Sequence, residues 1–226
     1  MVNDHKDNAP PVYKAVRALG ILRPKFQPNQ GKAFIEGIDV IGTTFWVKDY
    51  KILVTCAHVV QGLLGAPIEI TGLLVVGNMG NYSRALVGSI DMEHDLATLR
   101  LVEVPEEIIQ KESIDGLTII GRYPEVGEPV GYAGFPLGQQ LFTSSQEPTY
   151  AEGVVGAKLR KNVIQKNIQI TGAVAGGFSG SPIVLKDTNK LIGVLSSSPS
   201  KEAGDANIFM ASSWEHVKAL VELSKS

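Results

Sequence analysis

Three short segments of this 226-residue chain carry side chains that could make and break bonds. In Leu53-Val54-Thr55-Cys56-Ala57-His58-Val59-Val60 an apolar run delivers a histidine. In His94-Asp95-Leu96-Ala97-Thr98-Leu99 an aspartate opens a strand-like run. In Gly176-Gly177-Phe178-Ser179-Gly180-Ser181-Pro182 a serine sits in a glycine-rich bend just before a strand. A free serine hydroxyl is a weak nucleophile. A neutral imidazole can take its proton, and a carboxylate can hold that imidazole in the tautomer required. The carbonyl under attack becomes an oxyanion and needs preorganised donors. Glycines beside the serine let the backbone turn N–H groups inward with no Cβ in the way. The chemistry expected is therefore acyl transfer, with Ser179 as nucleophile, His58 as base, Asp95 as its orienting carboxylate, and the N–H groups of Gly177 and Ser179 as oxyanion donors.

Each group has rivals. His94 adjoins Asp95 and could compete as the base, but no apolar strand precedes it. Asp91 and Glu93 could replace Asp95, although solvated loop charges are their simpler reading. His5 lies in a polar tail and His216 on a terminal helix, and both read as inert. Cys56 could be a nucleophile, yet it ends an apolar strand without a glycine bend, which suits a buried thiol. A single cysteine disfavours a zinc site, and no metal or cofactor is expected. Gly177-Phe178-Ser179-Gly180-Ser181 is not the Gly-x-Ser-x-Gly elbow of α/β-hydrolases, whose histidine must follow the serine; only His216 does. Gly131-Tyr132-Ala133-Gly134 lacks the Gly-Lys-Ser/Thr that would make it a phosphate cradle.

The elements that must hold these residues read as short strands between turns. The first series is Thr43–Val47, Lys51–Thr55 after a turn at 48–50, Ile68–Thr71, Leu73–Val76, Arg84–Ser89 and Leu96–Val102. A polar, helix-tolerant link spans 105–115. The second series is Pro129–Tyr132, Tyr150–Val155, Asn167–Thr171, Pro182–Leu185, Leu191–Leu195 and Ile208–Ala211. Two sets of about six strands fit a double barrel. Val12, Ala15, Val16 and Leu19 have helical spacing with Gly20 as a stop, which predicts a short amphipathic helix outside the main body. Ser212-Ser213-Trp214-Glu215 has the form of a capping box, and Trp214, Val217, Leu220, Val221 and Ser224 fall on one face of the helix it opens. The expected division is an N-terminal extension with a short helix (1–32), a first barrel (33–115), a second barrel (116–211) and a C-terminal helix (212–226).

Composition removes other classes. Hydrophobic residues make up 44% and charged residues 19%, and 24 glycines with 12 prolines favour an all-β plan. A net charge of −2 without a basic block argues against nucleic-acid binding. No apolar run reaches the roughly 18 residues of a membrane span. The polar N-terminus and the lone Cys56 point to a reducing, cytoplasmic setting.

The three motifs resemble those of the trypsin-like (chymotrypsin-fold) serine peptidases, whose His, Asp and Ser follow in this order along the chain. Thr55-Cys56-Ala57-His58 is similar to that family's Thr-Ala-Ala-His, Asp95-Leu96-Ala97 to its Asp-Ile/Leu-Ala, and Gly177-Phe178-Ser179-Gly180-Ser181-Pro182 to its Gly-Asp/Asn-Ser-Gly-Gly/Ser-Pro. Compact bacterial members without disulfides are the nearest type. The resemblance implies two six-stranded antiparallel β-barrels with a C-terminal helix, and hydrolysis of protein or peptide substrates through an acyl-enzyme. It implies a substrate pocket with Ala173 at its base and Ser196, Ser197 and Ser198 along one wall, suited to a small or medium uncharged residue unless Glu202 or Asp205 reaches in. Phe178 departs from the aspartate that pairs with a new N-terminus in members activated by cleavage, so no such cut is expected. That ring either packs into the core or unsettles the oxyanion loop. A serine esterase on the same fold and an inactive, protease-like binding module are the alternative functions. A regulatory protein partner is the one further partner considered.

Overall fold

The computed structural model describes residues 9–27, 32–63, 74–78, 81–136, 147–160, 166–173, 177–197 and 208–225. The first barrel is built from β1 (Val16–Gln27), β2 (Lys32–Val47), β3 (Ile52–Thr55), β4 (Leu74–Asn78), β5 (Asn81–Asp91) and β6 (Leu96–Leu101). The second is built from β7 (Pro129–Gly134), β8 (Thr149–Arg160), β9 (Lys166–Gly172), β10 (Pro182–Leu185), β11 (Leu191–Ser197) and β12 (Ile208–Ser213). Each closes on itself, in the order β1-β2-β3-β6-β5-β4 and β7-β8-β9-β12-β11-β10, with antiparallel pairing throughout. The two rings thus repeat one connectivity although their sequences show no repeat. Among the described residues four helices accompany the barrels: α1 (Pro11–Ala15), α2 (Ala57–Gln61), α3 (Glu106–Ser113) and α4 (Trp214–Leu223). None is long and apolar enough to cross a membrane.

Why β3, β10 and β11 read as continuous apolar runs is explained by where they lie. Every residue of β3 is buried. Successive side chains of a strand face opposite ways. Leu53 enters the first barrel's interior beside Leu19, Trp46 and Leu99, while Ile52 and Val54 join a cluster between the barrels. In β10, Ile183 and Leu185 fill the second barrel, and Val184 faces the shared cluster. Leu191 and Val194 of β11 do the same opposite Ile192 and Leu195. Phe45, Leu96, Phe135, Val217, Leu220 and Val221 also belong to this shared layer, so the last helix is nailed to both barrels.

Two local expectations are corrected. The helix foreseen over Val12–Leu19 stops at Ala15, and Val16 begins β1. Val12, Ala15, Val16 and Leu19 are all buried, as the spacing implied. However, the ladder from Val16 onward to β2, joined from Ala18 by β4, satisfies backbone groups that a lone helical turn would leave open. Residues 16–27 are therefore part of the first barrel and not an external arm. The capping box at Ser212 does not form either. Ser213 is the residue before α4, without a side-chain cap, and the Ser212 hydroxyl donates to the His94 carbonyl instead. The turn at 48–50 is a single 3-10 turn, and the link after the first barrel contains α3. The strand expected at Ile68–Thr71 lies outside the described residues.

Candidate active site

β3 ends at Thr55, and the chain turns at once into α2, which puts His58 one residue inside a short helix at the rim of the first barrel. The β5–β6 turn brings Asp95 to the same rim with φ of +54°. One carboxylate oxygen accepts the His58 backbone N–H at 2.8 Å, and the other lies 2.7 Å from His58 Nδ1. One carboxylate therefore caps α2 and orients the ring it carries. Binding through both oxygens leaves the imidazole little freedom to swing, and Nδ1 as the protonated nitrogen leaves Nε2 as the acceptor.

Burial alone would raise the Asp95 carboxyl. The hydrogen bonds from the His58 ring, from Ser196 and from the His58 backbone overcome it and hold the group below the usual carboxylate range. The Ser196 hydroxyl donates to Asp95 Oδ2 at 2.5 Å. The Ser196 carbonyl accepts the Ser179 hydroxyl at 3.4 Å. Ser196 on β11 thus touches both Asp95 from the first barrel and Ser179 from the second, and the structure brings all four residues to one place.

The Ser179 backbone is fixed by several contacts. Its carbonyl accepts the Thr43 N–H at 3.0 Å, Gly180 N–H donates to the Leu195 carbonyl at 2.9 Å, and Ser181 N–H donates to the Phe178 carbonyl at 2.9 Å. Gly177 and Gly180 have φ of +99° and +88°. A Cβ at Gly180 would also lie 2.0 Å from the Thr43 carbonyl oxygen. Phe178 is buried in the second barrel's core, edge-on to Tyr132 at 5.7 Å between centroids. Of the two fates open to that ring, packing inward is the one observed.

Thr43 was not singled out by its sequence, since it reads as one more polar residue in an alternating strand. It is fully buried. Its hydroxyl donates to the Gly177 carbonyl at 3.1 Å and accepts the Phe135 N–H at 3.0 Å. One strand residue of the first barrel therefore ties down the serine loop of the second.

The rivals fall into other places. Asp91 accepts the His94 backbone N–H at 3.0 Å and lies 2.6 Å from His94 Nδ1, so it serves His94 and not His58. His216 is half-buried with its ring stacked on that of His94. The Cys56 thiol is buried and donates to the Leu195 carbonyl at 3.1 Å. Burial pushes it well up, the Asp95 charge adds to that, and a Gly180 backbone hydrogen bond opposes it. Cys56, His58 and Asp95 have ligand atoms within 4.8 Å of one another. A metal would need the thiolate that this environment opposes, and would displace the hydrogen bonds joining Asp95 to His58 and Ser196. Ala173 is exposed, and its carbonyl accepts the Tyr132 hydroxyl at 2.6 Å. The Ser197 side chain, Ser198, Glu202 and Asp205 lie outside the described residues.

Residues 42–194 match the family model of the trypsin-like peptidase domain. The chain is 26% identical over 155 residues to the peroxisomal leader peptide-processing protease of Mus musculus, an alignment covering 65% of this chain and 24% of the mouse protein. This chain thus spans about a quarter of that relative's length. Among solved structures, the active form of the Rv3671c protease from M. tuberculosis superposes with a TM-score of 0.63 at 17% identity, covering 94% of this chain and 82% of the other. The HtrA-type protease AlgW with a decapeptide superposes with a TM-score of 0.67 at 18% identity, covering 93% and 64%. At such identities the superpositions establish the fold.

Proposed function

The chain belongs to the trypsin-like peptidase domain family, and from that premise we propose that it is a serine endopeptidase in which His58, Asp95 and Ser179 act as the catalytic triad. Ser179 Oγ attacks the scissile carbonyl while His58 Nε2 takes its proton. Asp95 holds the ring and stabilises the imidazolium that forms. The N–H groups of Gly177 and Ser179 bind the oxyanion, in a loop whose backbone is tied by Thr43, Leu195 and Phe178. His58 then protonates the leaving amine. A water activated by the same imidazole cleaves the acyl-enzyme and restores Ser179.

The observation that carries this reading is the two-point seat of His58 on Asp95, joined through Ser196 to Ser179. The Ser179 hydroxyl needs only a rotation about its Cα–Cβ bond to leave the Ser196 carbonyl. Its 3.4 Å contact there is long for an O–H···O bond and holds it weakly. Ala173 with Ser196, Ser197 and Ser198 forms the pocket for the residue before the scissile bond, with preference for a small or medium uncharged side chain. The buried Phe178 supports a loop that needs no activating cut.

Mass spectrometry of casein and proteome digests, with wild type beside Ser179→Ala, tests this directly. New peptide termini that appear only with wild type are expected. Identical digests from the two proteins would overturn it, and dominant cutting after arginine would overturn the pocket assignment alone.

A further inference from the structure

Asp95 adopts a left-handed backbone, which a residue with a Cβ takes less readily than glycine. Such conformations persist where the surroundings over-determine them. Asp95 is in contact with His58 and Ser196 on its carboxylate side, but those contacts do not set the peptide that precedes it. That peptide contains the His94 carbonyl and the Asp95 N–H in one plane. The direction in which the Asp95 side chain leaves the backbone follows from that plane and φ.

His94, whose carbonyl lies in that plane, is gripped from three sides. The Ser212 hydroxyl, on β12 of the second barrel, donates to the His94 carbonyl. Asp91 holds His94 through its backbone N–H and its Nδ1. The His94 ring, a tenth exposed, lies flat on the ring of His216 from α4, with centroids 3.6 Å apart and planes 14° from parallel. Ser212 gives up the capping position it could have taken on α4 to make its contact. We infer that His94, clamped by Asp91, Ser212 and the stacked ring of His216, is the positioning residue for Asp95, so that α4 and β12 govern the alignment of the triad from behind. The inference rests on the triad reading above. It assigns His94 and His216 work that the reaction proposed above gives to neither.

Stacking needs a flat ring and not a titrating one, and this separates the proposal from mere helix packing. In the full chain, His216→Ala and Ser212→Ala should each lower kcat by about 10- to 100-fold, the scale expected when a catalytic group shifts by a fraction of an ångström to an ångström, with KM nearly unchanged. The downfield proton resonance of His58 Nδ1, a direct signature of its bond to Asp95, should move or broaden in both. His216→Phe should restore kcat and the resonance. Unchanged kcat and an unmoved resonance in both alanine variants would overturn the inference. Equal damage in His216→Phe would overturn it too, because the flat ring would then not be the operative feature. A wild-type chain that cleaves no peptide would sink the triad reading, and the His58 resonance across the same variants would still decide this inference.

Discussion

The two barrels share one connectivity but contribute to the site in opposite ways. The first supplies side chains locked against each other: His58 sits on Asp95 through two hydrogen bonds of 2.8 and 2.7 Å. The second supplies a locked backbone and a loose side chain. The Ser179 main chain is tied to Thr43 and its neighbours to Leu195 and Phe178, while its hydroxyl rests on Ser196 at 3.4 Å. The division suits the chemistry proposed. A base must hold its tautomer and direction through every step, whereas a nucleophile must rotate from its resting contact to the carbonyl and back. Thr43, reaching from the first barrel to Gly177, Ser179 and Phe135, keeps the two halves in register without stiffening the hydroxyl.

The most severe way to break that division is to remove the moving part. Ser179→Ala should lower kcat on the order of 10⁶-fold while leaving substrate affinity and the fold intact. A residual rate near that of wild type would mean that another group is the nucleophile. Breaking the locked half is the next largest effect. Asp95→Asn keeps the shape but stabilises the wrong imidazole tautomer, and kcat should fall about 10⁴-fold. Fluorophosphonate labelling of Ser179 should slow in parallel. A loss below tenfold would count against Asp95 as the orienting carboxylate and return Asp91 to consideration.

The locked backbone of the second half has its own anchor. Phe178 fills the second core beside Tyr132 and Phe209. Phe178→Ala should destabilise the protein by about 3–5 kcal/mol, read from denaturant midpoints, because a large aromatic leaves a cavity that a closed barrel cannot collapse. If stability barely changed but kcat fell sharply, the ring would be acting on the loop's shape and not on the core.

How far the sequence foretold this arrangement follows the same division. The groups carrying the proposed chemistry could be named from the sequence because each sits where an apolar run meets a turn, as at Thr55 to His58 and Asp95 to Leu96. The double barrel was legible from the number and spacing of such runs. The helix foreseen at Val12–Leu19 failed because an i, i+3, i+4 apolar spacing also suits a short helix running into a strand, and only the β2 and β4 partners decide between them. Thr43, Ser196 and Ser212 act through hydroxyls whose partners lie about 90 to 135 residues away in the chain. Nothing local marks them, and the Ser-x-x-Glu pattern at Ser212 pointed to a cap when its hydroxyl is bonded elsewhere.

The smallest effect tests the link between the halves. Asp95 is held below its ordinary carboxylate range by hydrogen bonds that include the one from Ser196, working against burial. A carboxyl whose folded value lies below its unfolded one stabilises the native state fully above the unfolded value. It loses that contribution as pH falls through the folded value. Wild type should therefore lose this increment progressively between the unfolded and the folded value, the range in which the unfolded carboxylate takes up a proton and the folded one does not. Ser196→Ala removes one of the donors, so the folded value should move up, and the acid loss of stability should be smaller and complete at a higher pH. The hydroxyl deletion also leaves a gap whose cost is independent of pH, so the informative quantity is the slope of stability against pH and not its offset. If the slopes for Ser196→Ala and wild type run parallel through the acid range, Ser196 does not tune Asp95. The contact that joins the mobile serine to the locked aspartate would then be one of packing alone.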